Sequence, residues 1–338
     1  MPDTRPVIYT VGIGNAPQHI SMQARDILAT VDIVAGHYGF LELARQHINP
    51  KAKIIDDREA RNRSPSFACY QQLRVSAVVA EALRGQSVAV LSGGDTGIWG
   101  MAAVFLEARQ VYENAFAVEV IPGIPALVTI AAKLGAPLQN GYTVIAIGDE
   151  DTPFAVIEQR LKGAALGGGV IVLHKLILEN LNYPRYYPPD KYPELFPPRE
   201  KTIYRWQRTY DILREHIPPE RLLAIVTDAC DQTAHYSTTP ELLGSDDRKE
   251  RIVIAAFQDF LALAHTFRFF TTVIIGDAIT QRCGERVITP QWHYQWKYDR
   301  EMMNDLAGLP YMKEQNAFFG RIGKEGGDLH REPGVKHE

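Results

Sequence analysis

The chain has 338 residues, 46% hydrophobic and 22% charged, with a formal net charge of −4. That length accommodates about two domains, and the near-neutral charge is unlike that of a protein that grips nucleic acid through a basic surface. No apolar run approaches the ~20 residues of a membrane span, no charged-then-apolar leader opens the sequence, and Cys69, Cys230 and Cys283 lack CxxC spacing. The expectation is a cytoplasmic protein with no membrane contact, no disulfide framework and no Cys-based zinc site.

Taken in order, Val7 to Val11 reads as an apolar strand running into Gly12-Ile13-Gly14-Asn15-Ala16-Pro17. The spacing begins like a dinucleotide fingerprint but lacks its third glycine. Ser21 is placed to cap a helix over Met22 to Thr30, and Asp32 to Ala35 begins a second strand. Asp56 to Ser66 is polar and carries Arg58, Arg61 and Arg63, which suit either a solvated loop or a bidentate grip on carboxylates or phosphates. A helix over Cys69 to Leu83 ends at Gly85, a C′ glycine. Next, Val88 to Leu91 has the composition of a strand buried on both faces, and it empties into Ser92-Gly93-Gly94-Asp95-Thr96-Gly97 before a predicted helix over Ile98 to Arg109. Glycines at the carboxyl end of a parallel strand let backbone approach a ligand, where open α/β sheets bind theirs; the same glycines also serve an ordinary tight turn. Ala117 to Ile121 is a further strand, and Pro122-Gly123-Ile124-Pro125-Ala126 opens a helix through Leu134, with Pro125 in its first turn.

A second unit begins at Tyr142 to Ile147, followed by Gly148-Asp149-Glu150-Asp151-Thr152-Pro153 and a helix to Leu161 for which Asp151 or Thr152 is the expected cap. Val170 to Leu173 is a buried strand ending in His174-Lys175, where a histidine is either a structural residue or a ligand contact. The prolines from Tyr183 to Arg199 exclude helix and interior strand. Helix over Thr209 to His216, strand over Leu222 to Thr227, helix over Arg251 to Phe267 and strand over Phe269 to Ile275 complete the α/β pattern. Beyond Thr280 an aromatic cluster (Trp292, His293, Tyr294, Trp296, Tyr298) precedes a charged, glycine-rich end at Gly323 to Glu338 whose composition is that of disorder. The domain expectation is therefore residues 1–140, residues 141–280 with a proline-rich insertion at about 180–200, and a C-terminal extension over 281–338.

The stretches GHYGFLELA, LSGGDTGIWGMAAVFLE, VIPGIPALVTIAAKLGAPL, DTPFAVIEQRL and FFTTVIIGDAIT occur in this order. Together they resemble the tetrapyrrole methylase family, the class III S-adenosylmethionine-dependent methyltransferases of corrinoid and sirohaem biosynthesis, and within it the branch that methylates C(17) of corrinoid precursors. The resemblance covers roughly Val7 to Thr280. It implies two α/β domains with a cleft between them, a homodimer, a methyl donor folded in the cleft, and a tetrapyrrole substrate. It places donor contacts on Gly93, Gly94, Asp95, Ile98, Pro125, Ala126, His174, Lys175 and Ala229. Substrate contacts fall on Gly14, Asn15, Arg58, Arg61 and Arg63, because corrin precursors carry many carboxylates. Asp149 and His174 are the candidates for handling a proton, and no metal site is implied.

The sequence also departs from the family pattern. Asn15-Ala16 stands in place of the usual Pro-Gly of the first loop, Pro125 in place of a common threonine, and His174-Lys175 with the long insertion in place of Asn-Pro and a short basic turn. These changes keep open another modified tetrapyrrole as substrate, or a homologue that binds pigment without turnover. An RNA-methylating relative would instead require a basic stripe.

Overall fold

The computed structural model describes residues 5–57, 67–149, 152–177, 199–229, 250–268 and 270–290, all within one unit spanning Met1–Pro290. Arg58, Arg61, Arg63, the proline-rich stretch, the aromatic cluster and the expected disordered end lie outside the described residues.

The first sheet holds β1 (Val7–Gly12), β2 (Ile33–Gly36), β3 (Lys53–Asp56), β4 (Val88–Ser92) and β5 (Ala117–Ile121), all parallel in the order β3-β2-β4-β1-β5. Every residue of β4, the middle strand, is buried, as its unbroken apolar run requires. Its side chains divide by parity. Ala89 and Leu91 pack with α1 (Met22–Leu28) and α2 (Tyr38–Ala44), whereas Val88 and Val90 pack with α3 (Phe67–Ala82) and α4 (Ala102–Val111). The helix that follows β1 and the helix that follows β4 thus leave on opposite faces, so the switch in winding direction lies between these two neighbouring strands. That is where open α/β sheets form a binding crevice.

Ser21 caps α1 as expected, its hydroxyl accepting the N–H of Ala24, and Gly85 lies beyond α3 with φ +87°. The helix expected from Ile98 instead starts at Ala102. Thr96 and Ser92 explain the delay: Ser92 Oγ lies 3.2 Å from Thr96 Oγ1 and accepts the N–H of Met101, while the Thr96 carbonyl accepts the N–H of Ala102. The intervening residues are thereby held in a closed turn, with Trp99 at φ +53°.

The second sheet holds β7 (Tyr142–Ala146), β8 (Val170–His174), β9 (Leu222–Thr227), β10 (Arg251–Ala256) and β11 (Thr271–Ile275) in the order β10-β9-β11-β8-β7. Strands β7, β8 and β9 share one direction; β10 and β11 run against them. One face is covered by α6 (Phe154–Gly167), α7 (Arg199–Leu213) and the short α8 (Phe260–Leu263). The other is covered by α5 (Ala126–Leu134), whose Leu127, Ile130 and Leu134 pack on Val170, Val172, Ala224, Val226 and Ile274. A hairpin of β12 (Gln281–Cys283) and β13 (Arg286–Ile288) adds Val287 to this face and pairs in parallel with β6 (Gly135–Ala136).

Several sequence expectations need correction here. Arg251 to Phe267 is not one helix: its first six residues pair antiparallel with β9, and helical turns begin only at Phe257. The run Ile252-Val253-Ile254 favours an extended edge strand over a helix. Helix α7 begins ten residues earlier than Thr209 and stops at Leu213, and α6 runs on past Leu161 to end at Gly168, whose φ of +68° suits a left-handed stop. Pro153, not a capping hydroxyl, stands at the N-cap of α6, because the Thr152 hydroxyl donates to Asp149 Oδ2 at 2.6 Å.

Candidate active site

Three loops meet at the carboxyl ends of β1, β4 and β5. Gly14 and Gly94 exchange backbone hydrogen bonds of 3.0 and 2.8 Å, and the N–H of Ile13 donates to Ser92 O. The contact between loops is backbone against backbone. A methyl group on Gly123 would lie 2.1 Å from Gly94 O, and one on Gly12 would lie 2.6 Å from Gly123 N. Such distances exclude any Cβ at 12 and 123, and Gly94 adopts φ +67°, so all three glycines are required first by the loops themselves. Gly93 is likewise closed on one side, where a Cβ would meet the Phe40 ring at 2.7 Å.

Asp95 completes this junction. Its Oδ1 accepts the N–H of Gly97 at 2.8 Å and its Oδ2 the N–H of Gly123 at 2.9 Å, so the carboxylate expected to touch the donor is tied to backbone on both oxygens. Asn15 adds a further tie, Nδ2 donating to Ile124 O at 3.3 Å, and its own N–H points at His19 Nδ1. What remains open is the outer edge: Gly97, Ile98, Trp99 and Ile124 are exposed. Pro125 and Ala126 are half-buried, and α5 starts there with no side chain capping it. Uncapped N–H groups at a helix start attract a carboxylate or other anion.

The second sheet contributes its own strand ends. Ile147 N donates to His174 O and Gly148 N to Lys175 O, so the turn that carries Asp149 runs alongside Lys175 at the ends of β7 and β8. Arg205, from α7, donates through Nη1 to the carbonyls of Ile147 (2.7 Å) and Asp149 (2.9 Å), and Trp206 donates to Leu176 O. His174 Nδ1 lies 2.8 Å from the hydroxyl of buried Thr272. Burial, with the charge of Lys175 second, lowers the His174 pKa to about 4, so its imidazole is neutral at pH 7. Lys175 has φ +48° and Asp228, after β9, has φ +52°. Backbone strain of that kind in non-glycine residues gathers at functional sites.

A ring contact joins the two sets of loops: Trp99 stacks on His174, ring centroids 5.7 Å apart and planes 14° apart. The structure therefore brings together Gly14, Asn15, Gly93, Gly94, Asp95, Ile98, Pro125 and Ala126 on one side, and Asp149, His174 and Lys175 on the other. Ala229, at the end of β9 with β11 between it and β8, packs against the same apolar cluster as Ala126. Sequence reasoning missed Trp99, Gly12, Gly123, Arg205 and Thr272. For Trp99 a signal existed, since Gly97 and Gly100 flank it and two glycines within four residues argue against helix.

Residues 7–243 match the tetrapyrrole (corrin/porphyrin) methylase family, and the chain belongs to that family. It is 30% identical over 285 residues to a probable cobalt-factor III C(17)-methyltransferase of Methanothermobacter thermautotrophicus, covering 84% of this chain and 66% of that one. The crystal structure of the methyltransferase CobJ superposes with a TM-score of 0.59 at 24% identity, over 85% of this chain and 100% of that one. A uroporphyrin-III C-methyl transferase from Thermus thermophilus, solved in complex with S-adenosyl homocysteine, shares the fold with a TM-score of 0.51 at 16% identity, over 80% and 96% of the two chains. The chain spans between 46% and 66% of the length of the curated relatives it matches first.

Proposed function

We propose that the protein is an S-adenosylmethionine-dependent C-methyltransferase acting on a tetrapyrrole, a corrinoid precursor of the precorrin-3B or cobalt-factor III type methylated at C(17). The observation that carries this reading is the family match over residues 7–243, which includes every loop of the glycine junction and of the facing strand ends. The names of the relatives support the substrate class, and the S-adenosyl homocysteine held by a protein of the same fold supports the donor.

In this reading the donor lies along the open edge of the junction, against Gly93, Gly94, Asp95, Ile98, Pro125 and Ala126, with backbone from His174 or Lys175 and Ala229 opposite. The uncapped start of α5 receives its carboxylate. Gly14, Asn15, Arg58, Arg61 and Arg63 face the substrate. The methyl group passes from the sulfonium to a ring carbon in line with the S–CH3 bond, leaving a neutral thioether, and the ring carbon then gives up its proton if it carries one. Position supplies much of the rate. A neutral His174 or the Asp149 carboxylate is the acceptor for that proton. A homodimer in the cytoplasm belongs to the same reading, with no nucleic-acid or membrane partner; among the described residues no helix is long and apolar enough to cross a membrane.

The test is calorimetry with S-adenosylhomocysteine, followed by incubation of cobalt-factor III, precorrin-3B and other tetrapyrroles with donor and mass spectrometry of the pigment. A product heavier by one methylene is expected. Donor binding with pigment binding but no product indicates a holding protein instead, and no donor binding overturns the proposal.

A further inference from the structure

The glycine junction accounts for most of the loop after β4, but not for Trp99. Its backbone is in the left-handed region, which is costly for a bulky residue, and the residue remains 57% exposed although its ring stacks on His174. Among the described residues the rest of it is left uncovered. Beside it on the loops of the same junction, Ile98 is 44% and Ile124 38% exposed. Exposed apolar side chains gathered at a cleft mouth mark a surface that something covers. At the covered edge, Lys175 is exposed with its ammonium one residue from the stacked histidine. A flat apolar ring face with a cation at its margin complements a conjugated ring that carries carboxylates.

We propose that the open face of Trp99 is the platform on which the tetrapyrrole macrocycle rests, with His174 as the backing that fixes the angle of the indole and Lys175 receiving a peripheral carboxylate. This rests on the substrate class proposed above, adds a residue that sets how the pigment is held, and, by placing His174 behind the indole, leaves Asp149 as the acceptor for any proton. The His174–Thr272 hydrogen bond keeps the backing ring from turning, and the neutral state of the imidazole lets two aromatic faces meet without burying a charge between them.

The experiment uses the full chain, wild type and with Trp99→Ala or Trp99→Phe, titrated separately with uroporphyrin III, read by its Soret shift, and with S-adenosylhomocysteine, read by calorimetry. Removing a stacking aromatic weakens a bound planar ring by about tenfold or more. The expected result is that loss of pigment affinity in Trp99→Ala, near-recovery in Trp99→Phe, and S-adenosylhomocysteine affinity within about twofold in both. Unchanged melting temperatures exclude a folding defect, and Trp99→Phe carries the test if Trp99→Ala melts early. Equal loss of both ligands assigns the ring to the donor and overturns the platform, as does pigment binding that survives Trp99→Ala. If the wild type binds S-adenosylhomocysteine but neither uroporphyrin III nor cobalt-factor III, the substrate class itself fails.

Discussion

The carboxylate of Asp95 accepts the backbone N–H of Gly123 at 2.9 Å, and by that bond the turn after β4 is held to the turn after β5. The other oxygen holds Gly97, so one side chain fixes both the path of its own turn and its distance from the next. Asp95 is thus a positioning residue for whatever lies along the open edge.

Asp95→Asn leaves only one carbonyl oxygen for two donors and turns an amide N–H toward one of them. Charge-assisted bonds of this kind contribute about 1.5–3 kcal/mol each. Asp95→Asn is expected to weaken S-adenosylhomocysteine at least about tenfold and to lower the melting temperature by roughly 4–8 °C, by calorimetry and thermal denaturation. A variant with unchanged melting and unchanged affinity would show that the two turns do not depend on this carboxylate.

The glycines sort into three classes by what a methyl group would meet. Gly123→Ala meets backbone of Gly94 and Gly12, which cannot yield separately, and is expected to cost more than about 3 kcal/mol or to abolish folding. Gly85→Ala meets nothing but carries φ +87°, and is expected to cost about 1 kcal/mol. Gly163→Ala, in α6 with open space around it, is expected to stabilise by about 0.5–1 kcal/mol. Urea denaturation of the three variants checks the order.

For His174 the sign follows from its lowered pKa. The unfolded chain takes up a proton near pH 6.5 and the folded chain only near 4, so the protein loses stability as pH falls between those values. The loss is of order 3 kcal/mol at full titration. His174→Gln is expected to flatten the stability profile between pH 6.5 and 4, measured by denaturation at fixed pH steps. An imidazole titrating near 6.5 by NMR would overturn the assignment.

Arg205 holds the loop that carries Asp149 through two carbonyls and lies 4.7 Å above the Phe154 ring. Arg205→Met keeps the apolar stem and removes the fork. In the methyl-transfer assay kcat is expected to fall about tenfold with the donor Kd little changed, because the glycine junction is untouched. An equal rise in the donor Kd would place the loop at the donor instead.

Strands β1, β2, β4 and β5 were legible in the sequence as short, largely apolar runs that empty into turns bearing glycine, whereas β3 (Lys53–Asp56), with two exposed and two half-buried residues and a charge at each end, was not. Strand β10 was not, since Val253, Phe257, Phe260, Ala264 and Phe267 also satisfy a helical period, and only pairing with β9 decides between the two. At the site, the residue types were legible and their partners were not. Gly12, Gly94 and Gly123 come from well-separated parts of the chain, and nothing local says that they touch. The same holds for Trp99 and His174, which meet only because the two sheets present their strand ends to each other.

Helix α5 begins at the glycine junction of the first sheet and spends its apolar face on the second. It is therefore a strut: a nine-residue rod with one end at the Pro125 loop and its flank bedded on β8, β9 and β11. Any opening or closing of the gap must pivot about that rod, and a nick at Asn140, although it falls between the two sheets in sequence, would leave α5 stranded from the floor it packs on. Fragments cut there should not fold apart, but should reassemble when mixed.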